Sequence, residues 1–365
     1  MRVKEFIGRL AKSWLLYAAL RLAEGFGLRW KARAPRNSPV LKPFQPGVSV
    51  VIPERGNPDL LKECLERVMI ACRRLSEPSE VIVVVNGSPA SLYRSLVTAY
   101  NQVRWLFSSN PLWYCGAVRR GIEAARYDWV YLLNNDMILD ASALESIVKW
   151  RSPHVFAIAS QVFFRDPGKR REETGWTMFR ATDGPIEILD EVPEDDSSVR
   201  GTFYAGGGAS LFRRDLLRQL VCGSSVYVPF YWEDVEWGAR TWRLGYENLY
   251  CPASKAWHGH RMTNRLFFPE AEIDRVLVRN RFVFHLRNSL SARSFAHFLR
   301  TLDRLDEKSL AEILTLRRMV RIASGHFRSC CLPLDHTALD GVWLRRYGQA
   351  DEYIPCSPCF PLEPR

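Results

Sequence analysis

"VYLLNNDMILD", residues 130–140, runs apolar for four residues, then gives Asn134, Asn135 and Asp136, then turns apolar again. A polar group buried without a partner costs roughly 2–7 kcal/mol, so a core strand cannot carry three of them in a row. The apolar run therefore reads as a buried strand, and the two amides and the carboxylate as the loop at its carboxyl end. Upstream, "VSVVIP" (48–53), "EVIVVV" (80–85) and "VRWLF" (103–107) have the same short, β-branched or aromatic character. Between them, Leu60, Leu61, Cys64, Leu65, Val68, Met69 and Cys72 recur at helical spacing, as do the apolar positions of 91–100 and 115–126. Strands apolar on both faces that alternate with helices predict an α/β fold with a mostly parallel sheet covered by helices. Ligands bind such sheets beyond the carboxyl ends of the strands, which puts residues 134–136 in the ligand crevice.

Two further stretches carry chemistry-bearing residues. "YWEDVEWGARTWRLGY" (231–246) predicts a helix ending before Gly245, with Glu233, Asp234 and Glu236 in its first turn. The helix dipole favours acids there, and the surrounding tryptophans place them near an apolar wall, where a carboxylate can accept a proton from a hydroxyl. "CPASKAWHGH" (251–260) reads as a strand ending in His258 and His260, two imidazoles that are either structural or metal ligands. Asp136 has the same two readings: a helix cap for "ASALESIV", or an oxygen ligand for a divalent cation whose shell is completed by phosphates. "YAGGGASLF" (204–212) is a glycine-rich loop entering a strand, where glycine permits close backbone approach to a ligand. It lacks the order of a P-loop, and no G-x-G-x-x-G follows the first strand.

The chain has 365 residues and a formal charge of +11. Residues 1–42 hold ten Lys/Arg and two Glu, interleaved with Phe6, Ile7, Leu10, Trp14 and Tyr17 at helical spacing. A basic amphipathic helix of this kind either lies on an anionic membrane surface or packs on its own domain. It matches no nucleic-acid motif, and no nucleic-acid partner is expected. No stretch approaches the ~18 uninterrupted apolar residues of a membrane span. Basic residues interrupt every possible signal core, so the chain reads as cytoplasmic, with a peripheral position on the inner membrane face open through residues 1–33. Nine scattered cysteines suggest reduced thiols. Cys356 and Cys359 have C-x-x-C spacing in a proline-rich tail, a weak sign of a metal site. Residues 181–200 are acidic and turn-rich and read as a surface excursion, and 270–325 reads as helical and basic. The organisation predicted is a basic segment and Pro-rich linker over 1–46, a catalytic domain over 47–285, and a helical extension with a Cys-containing tail over 286–365.

Six stretches in order, "VSVVIPERGNPDLLKECL", "EVIVVVNGSP", "GAVRRGIEAARYDWVYLLNNDMIL", "AGGGASLFRRDLL", "FYWEDVEWGARTWRLGY" and "CPASKAWHGH", resemble the family-2 glycosyltransferases of GT-A (Rossmann-like) fold, most closely the rhamnosyltransferase-like members. The likeness runs over residues 48 to about 285. It implies that Asn134-Asn135-Asp136 replaces the family's D-x-D motif, with Asp136 and His258 holding Mg²⁺ or Mn²⁺. It makes Asp234, beside Glu233, the catalytic base. It puts Pro53, Glu54 and Asn86 around the donor's base, Asn134 and Asn135 near ribose or sugar hydroxyls, and Arg240 within reach of the diphosphate.

The implied activity is inverting transfer from a UDP-, dTDP- or GDP-sugar to a hydroxyl of a glycan or lipid-linked acceptor. Departures from the pattern are Val85 where an Asp usually contacts the base, Glu54-Arg55-Gly56-Asn57 in the first loop, Arg119 where an Asn is usual, and Glu236 where an Asp is common. They leave open a second expectation, a weak or inactive sugar-nucleotide-binding relative in cell-surface polysaccharide assembly.

Overall fold

A computed structural model describes residues 3–31, 43–165, 176–180, 187–191, 197–259, 262–288, 305–331 and 346–347. His260, Cys356 and Cys359 lie outside the described residues, as do the side chains of Cys330 and Cys331. The element order is α1 (Val3–Lys31), β1 (Val48–Glu54), α2 (Pro58–Arg74), β2 (Ser79–Asn86), α3 (Arg94–Ala99), β3 (Arg104–Ser108), α4 (Trp113–Ala124), β4 (Trp129–Leu133), β5 (Met137–Leu139), α5 (Ala143–Val148) and β6 (Val155–Phe164). There follow β7 (Trp176–Arg180), β8 (Glu187–Glu191), β9 (Val199–Gly201), β10 (Ala209–Arg213), α6 (Arg214–Val221), α7 (Glu233–Arg243), β11 (Glu247–His258), α8 (Met262–Phe267) and α9 (Glu270–Asn288). Helices Glu307–Ile313 and Leu316–Cys331 and a short strand, β12 (Arg346–Tyr347), complete the order.

The main sheet runs β12-β9-β11-β6-β10-β4-β1-β2-β3. Strands β1, β2, β3 and β4 are parallel, as the alternation of apolar strands and helices requires. The second half is mixed: β10 runs antiparallel between β4 and β6, and β11 is parallel to β6 but antiparallel to β5 and β9. One face, carrying Val50, Ile52, Val83 and Val85, packs on Leu61, Leu65 and Val68 of α2. The other, carrying Val51, Ile82 and Val84, packs on Val118 and Ile122 of α4 and reaches Leu217 and Trp237. This is why β1 is apolar over Val50–Ile52 and β2 over Val81–Val85: each of these residues faces one helical layer or the other, and each fully buried Val or Ile contributes roughly 1.5–3 kcal/mol. A third cluster joins Leu16 and Leu20 of α1 to Val283 and Leu286 of α9 and to Ile313 and Ile322 of the C-terminal helices. The boundary expected at residue 285 falls inside α9.

The excursion over 181–200 is not merely a surface loop. Residues 187–191 pair with 176–180 as a hairpin, and Ile188 and Asp190 form part of a cleft wall. The acidic turn residues hid this, because the strand's apolar partners Phe179 and Ile188 are few and separated in sequence. The strand expected over 251–260 begins earlier, at Glu247, and runs to His258 past a register shift between Cys251 and Lys255.

Candidate active site

The carboxyl ends of β1 and β4 lie side by side at Glu54 and Leu133. Antiparallel β10 begins opposite Leu133, so the glycine loop before it arrives at the same edge. β11 ends with His258 opposite Met137 of β5. Together these ends and the start of α7 form a cleft of about 810 Å³, within the range of ordinary ligand sites.

Asp136 and His258 meet there, with Oδ1 of the former 3.4 Å from Nε2 of the latter. Asp136 is buried, and its Oδ1 accepts no hydrogen bond from any described residue. Two cis ligands of an octahedral cation at ~2.1 Å sit roughly 3 Å apart, so the pair suits a divalent ion. No group of three or more His, Cys, Asp or Glu able to hold a metal occurs among the described residues, which leaves phosphate oxygens and water to complete any shell.

Beneath Asp136 lies Glu54, buried at the end of β1. Its carboxylate accepts hydrogen bonds from the Asn57 amide (2.7 Å), the Tyr93 hydroxyl (2.8 Å) and the Asn135 side chain (2.5 Å). Burial pushes the Glu54 carboxyl up to about 7; those three donors pull it down, and the Asp136 charge adds to the rise. The Asn135 carbonyl oxygen accepts from Thr263 of α8 at 2.9 Å. Both ends of that amide are thus hydrogen-bonded within the protein, tying β1 to α8. Asn134 and Asn135 both line the cleft.

Glu233 and Asp234, which line the same cleft, open α7. They follow Tyr231 and Trp232, whose φ values are +73° and +76°, a conformation that bulky residues rarely adopt and that is characteristic of functional sites. The loop is held from α9: Asn280 donates to the carbonyls of Tyr227, Phe230 and Tyr231 at 2.6, 2.8 and 3.1 Å. Asp234 accepts from the Gly207 amide at 3.1 Å and the Val235 amide at 2.9 Å. Burial raises the pKa of both acids; Glu233 rises well above the usual carboxylate range, with the Asp234 charge as its second cause. Glu233 Oε2 has no hydrogen-bond partner among the described residues, whereas Asp234 has two amide donors. Burial and the Asp234 charge thus favour the neutral form of Glu233, while the two amide donors favour the charged form of Asp234.

The glycine loop serves the protein's own side chains. A Cβ at Gly207 would lie 2.3 Å from the Tyr114 hydroxyl, and one on Gly238 would lie 2.5 Å from the Phe203 carbonyl. Gly207 so brings its amide to Asp234, and Gly238 lets α7 lie flush on residues 203–204.

Other expected positions fall differently. Pro53 lines the cleft. Asn86 lines it too, but its oxygen accepts from the Leu112 amide (2.5 Å) and its nitrogen donates to the Trp113 carbonyl (3.2 Å). Val85 packs in the core on the α2 side. Glu54 reaches the cleft, but as a buried acid under Asp136. Arg240 is not among the cleft-lining residues; it is largely buried near Gly223 and the Glu236 charge. Glu236 also turns away, taking Arg287 as its partner.

Sequence reading passed over two cleft cations. Arg55 lies with its guanidinium carbon 4.0 Å from the Phe267 ring centre and 5.5 Å from that of Trp113. Arg281 of α9 lines the same cleft. The departure from the usual first loop was the only sign of Arg55, and nothing local marked Arg281.

Residues 49–221 match the family described as glycosyl transferase family 2. No curated protein matches the chain. Solved structures similar to it include GalNAc-T7 with UDP, GalNAc and Mn²⁺, at 12% identity and TM-score 0.47, over 79% of this chain and 58% of that one. The chain thus spans less than two thirds of that protein's length. Another is the mannosyltransferase PcManGT from Pyrobaculum calidifontis in complex with GDP-Man and Mn²⁺, at 17% identity and TM-score 0.45, over 87% of this chain and 84% of that one. At these identities no residue role transfers from either protein. The matched segment, somewhat under half of the chain, runs from β1 through α6 and includes the loop bearing Asp136; this segment is similar to glycosyl transferase family 2, and it is set in a GT-A-like α/β fold.

Proposed function

We propose that the chain transfers a sugar from a nucleotide-sugar donor to a hydroxyl of a glycan or lipid-linked acceptor, inverting the anomeric configuration. The observation that carries this reading is the shared cleft: Asp136 and His258 line the same cleft as Glu233 and Asp234. Asp136 and His258 would hold Mg²⁺ or Mn²⁺, which when bound offsets the negative charge growing on the leaving diphosphate. Arg55 and Arg281 supply positive charge in the same cleft. Asp234 takes the proton of the acceptor hydroxyl. That oxygen bonds to the anomeric carbon from the face opposite the diphosphate, the carbon–diphosphate bond breaks, and nucleoside diphosphate leaves. Burial and the Asp234 charge favour the neutral form of Glu233, which adds no repulsion to the incoming oxygen.

The family's usual acidic contact to the donor base is replaced by Val85, buried in the core, and Asn86 is spent on residues 112–113. This favours an altered base preference, and it also supports a second reading, donor binding without turnover. UDP-, dTDP- and GDP-sugars, with a deoxyhexose donor among them, are to be screened with Mn²⁺ by thermal shift and by nucleotide release. Release that Asp234→Asn abolishes supports the enzyme; a thermal shift with no release under any acceptor supports the binding relative.

A further inference from the structure

Helix α1 was expected to be either a membrane-facing helix or a helix packed on its own domain. Leu16 and Leu20 point into the core beside α9, so one face packs. On the 3.6-residue period, Leu15, Leu22 and Phe26 share a stripe on the other side, and Trp14 lies beside it. These four are 56%, 63%, 61% and 65% exposed. Helix Leu316–Cys331 lies along α1, its Ala323 and Phe327 lining a shallow groove with Ala23 and Phe26. It adds Leu316 and Val320, 71% and 59% exposed. A helix apolar on two faces calls for two apolar surroundings, and the described residues supply only one.

The borders of the stripe say what the other is. Lys12, Arg21 and Arg29 are exposed along it, and α1 as a whole carries six Lys/Arg against two Glu. Apolar residues edged by cations, with a Trp at the margin, match the interface of an anionic bilayer. A symmetric contact with a second copy would instead set the same cations against each other. Among the described residues no helix is long and apolar enough to cross a membrane, so the geometry is that of a helix lying on the surface. We propose that the uncovered face of α1, extended by Leu316 and Val320, docks the protein on an anionic lipid bilayer. This holds whether or not the transferase mechanism above is right.

The test is co-sedimentation of the full chain with phosphatidylcholine vesicles with and without phosphatidylglycerol, at low and high salt. Wild type should bind the anionic vesicles and weaken with salt. The variant Leu15→Ser/Leu22→Ser/Phe26→Ser, altered only at exposed positions, should keep its melting temperature and bind at least tenfold less. Lys12→Gln/Arg29→Gln should lose the preference for phosphatidylglycerol. Absence of wild-type binding, or undiminished binding by the serine variant, overturns the proposal. So does a wild-type dimer that the serine variant dissociates without any lipid binding, which would assign the face to a second copy. None of these readouts depends on sugar transfer.

Discussion

Asp136 Oδ1 lies 3.4 Å from His258 Nε2 because the end of β11, paired with β6 as far as His258, also pairs with β5 over Ala256–His258, setting His258 opposite Met137. The Gly259 amide then donates to the Asp136 carbonyl at 2.9 Å. Backbone pairing on both sides thus sets the distance, and the gap is in place before any ion arrives. Removing either side chain leaves one ligand where two converged. With nucleoside diphosphate present, Asp136→Asn and His258→Ala should each weaken Mn²⁺ binding by more than the roughly 10–100-fold that follows loss of an outer-shell partner. Titration followed by the Mn²⁺ paramagnetic signal measures this; unchanged affinity in both variants would remove the pair from the metal site.

Asp234→Asn keeps shape but cannot accept a proton. Turnover should fall by about 10²–10⁴-fold while donor-induced thermal shifts persist. Glu233→Gln mimics the neutral acid and should retain turnover within about tenfold of wild type. Burial raises the Asp234 pKa, and the rate needs its charged form. The acid limb of the rate profile should therefore lie above the usual carboxylate range, with activity lost as pH falls through it. Equal damage from both substitutions would contradict the division of roles.

Glu54 binds its proton more tightly in the folded state, with its pKa raised from 4.5 to about 7. Its contribution to stability is therefore complete below pH 4.5 and is lost as pH rises towards 7, in total about 3 kcal/mol at ~1.4 kcal/mol per unit. In EDTA, Glu54→Gln should gain stability relative to wild type as pH goes from 5 to 8. Parallel pH profiles of melting temperature for the two proteins would sink this account.

Glu236 and Arg287 form a buried two-pronged pair, with hydrogen bonds of 2.7 and 2.5 Å, and Tyr227 donates to the same carboxylate. Burial pushes the Glu236 carboxyl up, but the Arg287 charge and hydrogen bonds, with the Arg240 charge and the Tyr227 hydroxyl, together outweigh it and the net shift is downward. Arg287→Met strands that charge and should cost about 3–5 kcal/mol in denaturant unfolding. The double variant Glu236→Met/Arg287→Met should recover much of that loss.

Asn280 holds the loop that sets Tyr231 and Trp232 at positive φ. Asn280→Leu orphans buried carbonyls, at a cost of about 1–3 kcal/mol. Because the loop aims Asp234, turnover should fall while donor binding stays. A loss confined to stability, with kcat intact, would make Asn280 a purely structural residue.

Much of the fold was legible in the sequence because its physics is local. β-branched runs broken by helical spacing fix a covered parallel sheet, and three polar residues at a strand's end mark its open edge. Asp136, Asp234 and His258 could be picked out because each stands at the end of such an element. Tertiary structure alone decided which side chains were already spoken for. Asn135, Asn86 and Glu54 look like ligand contacts in the sequence, yet each is tied to residues distant along the chain: Thr263, Leu112 and Tyr93. Arg240 and Glu236 share a helix with Asp234, but one helical turn carries a side chain from the cleft to the core. The sequence contains the identity and order of these groups. Whether a given amide faces ligand or protein depends on what the folded chain brings within 3 Å of it, and no local pattern records that.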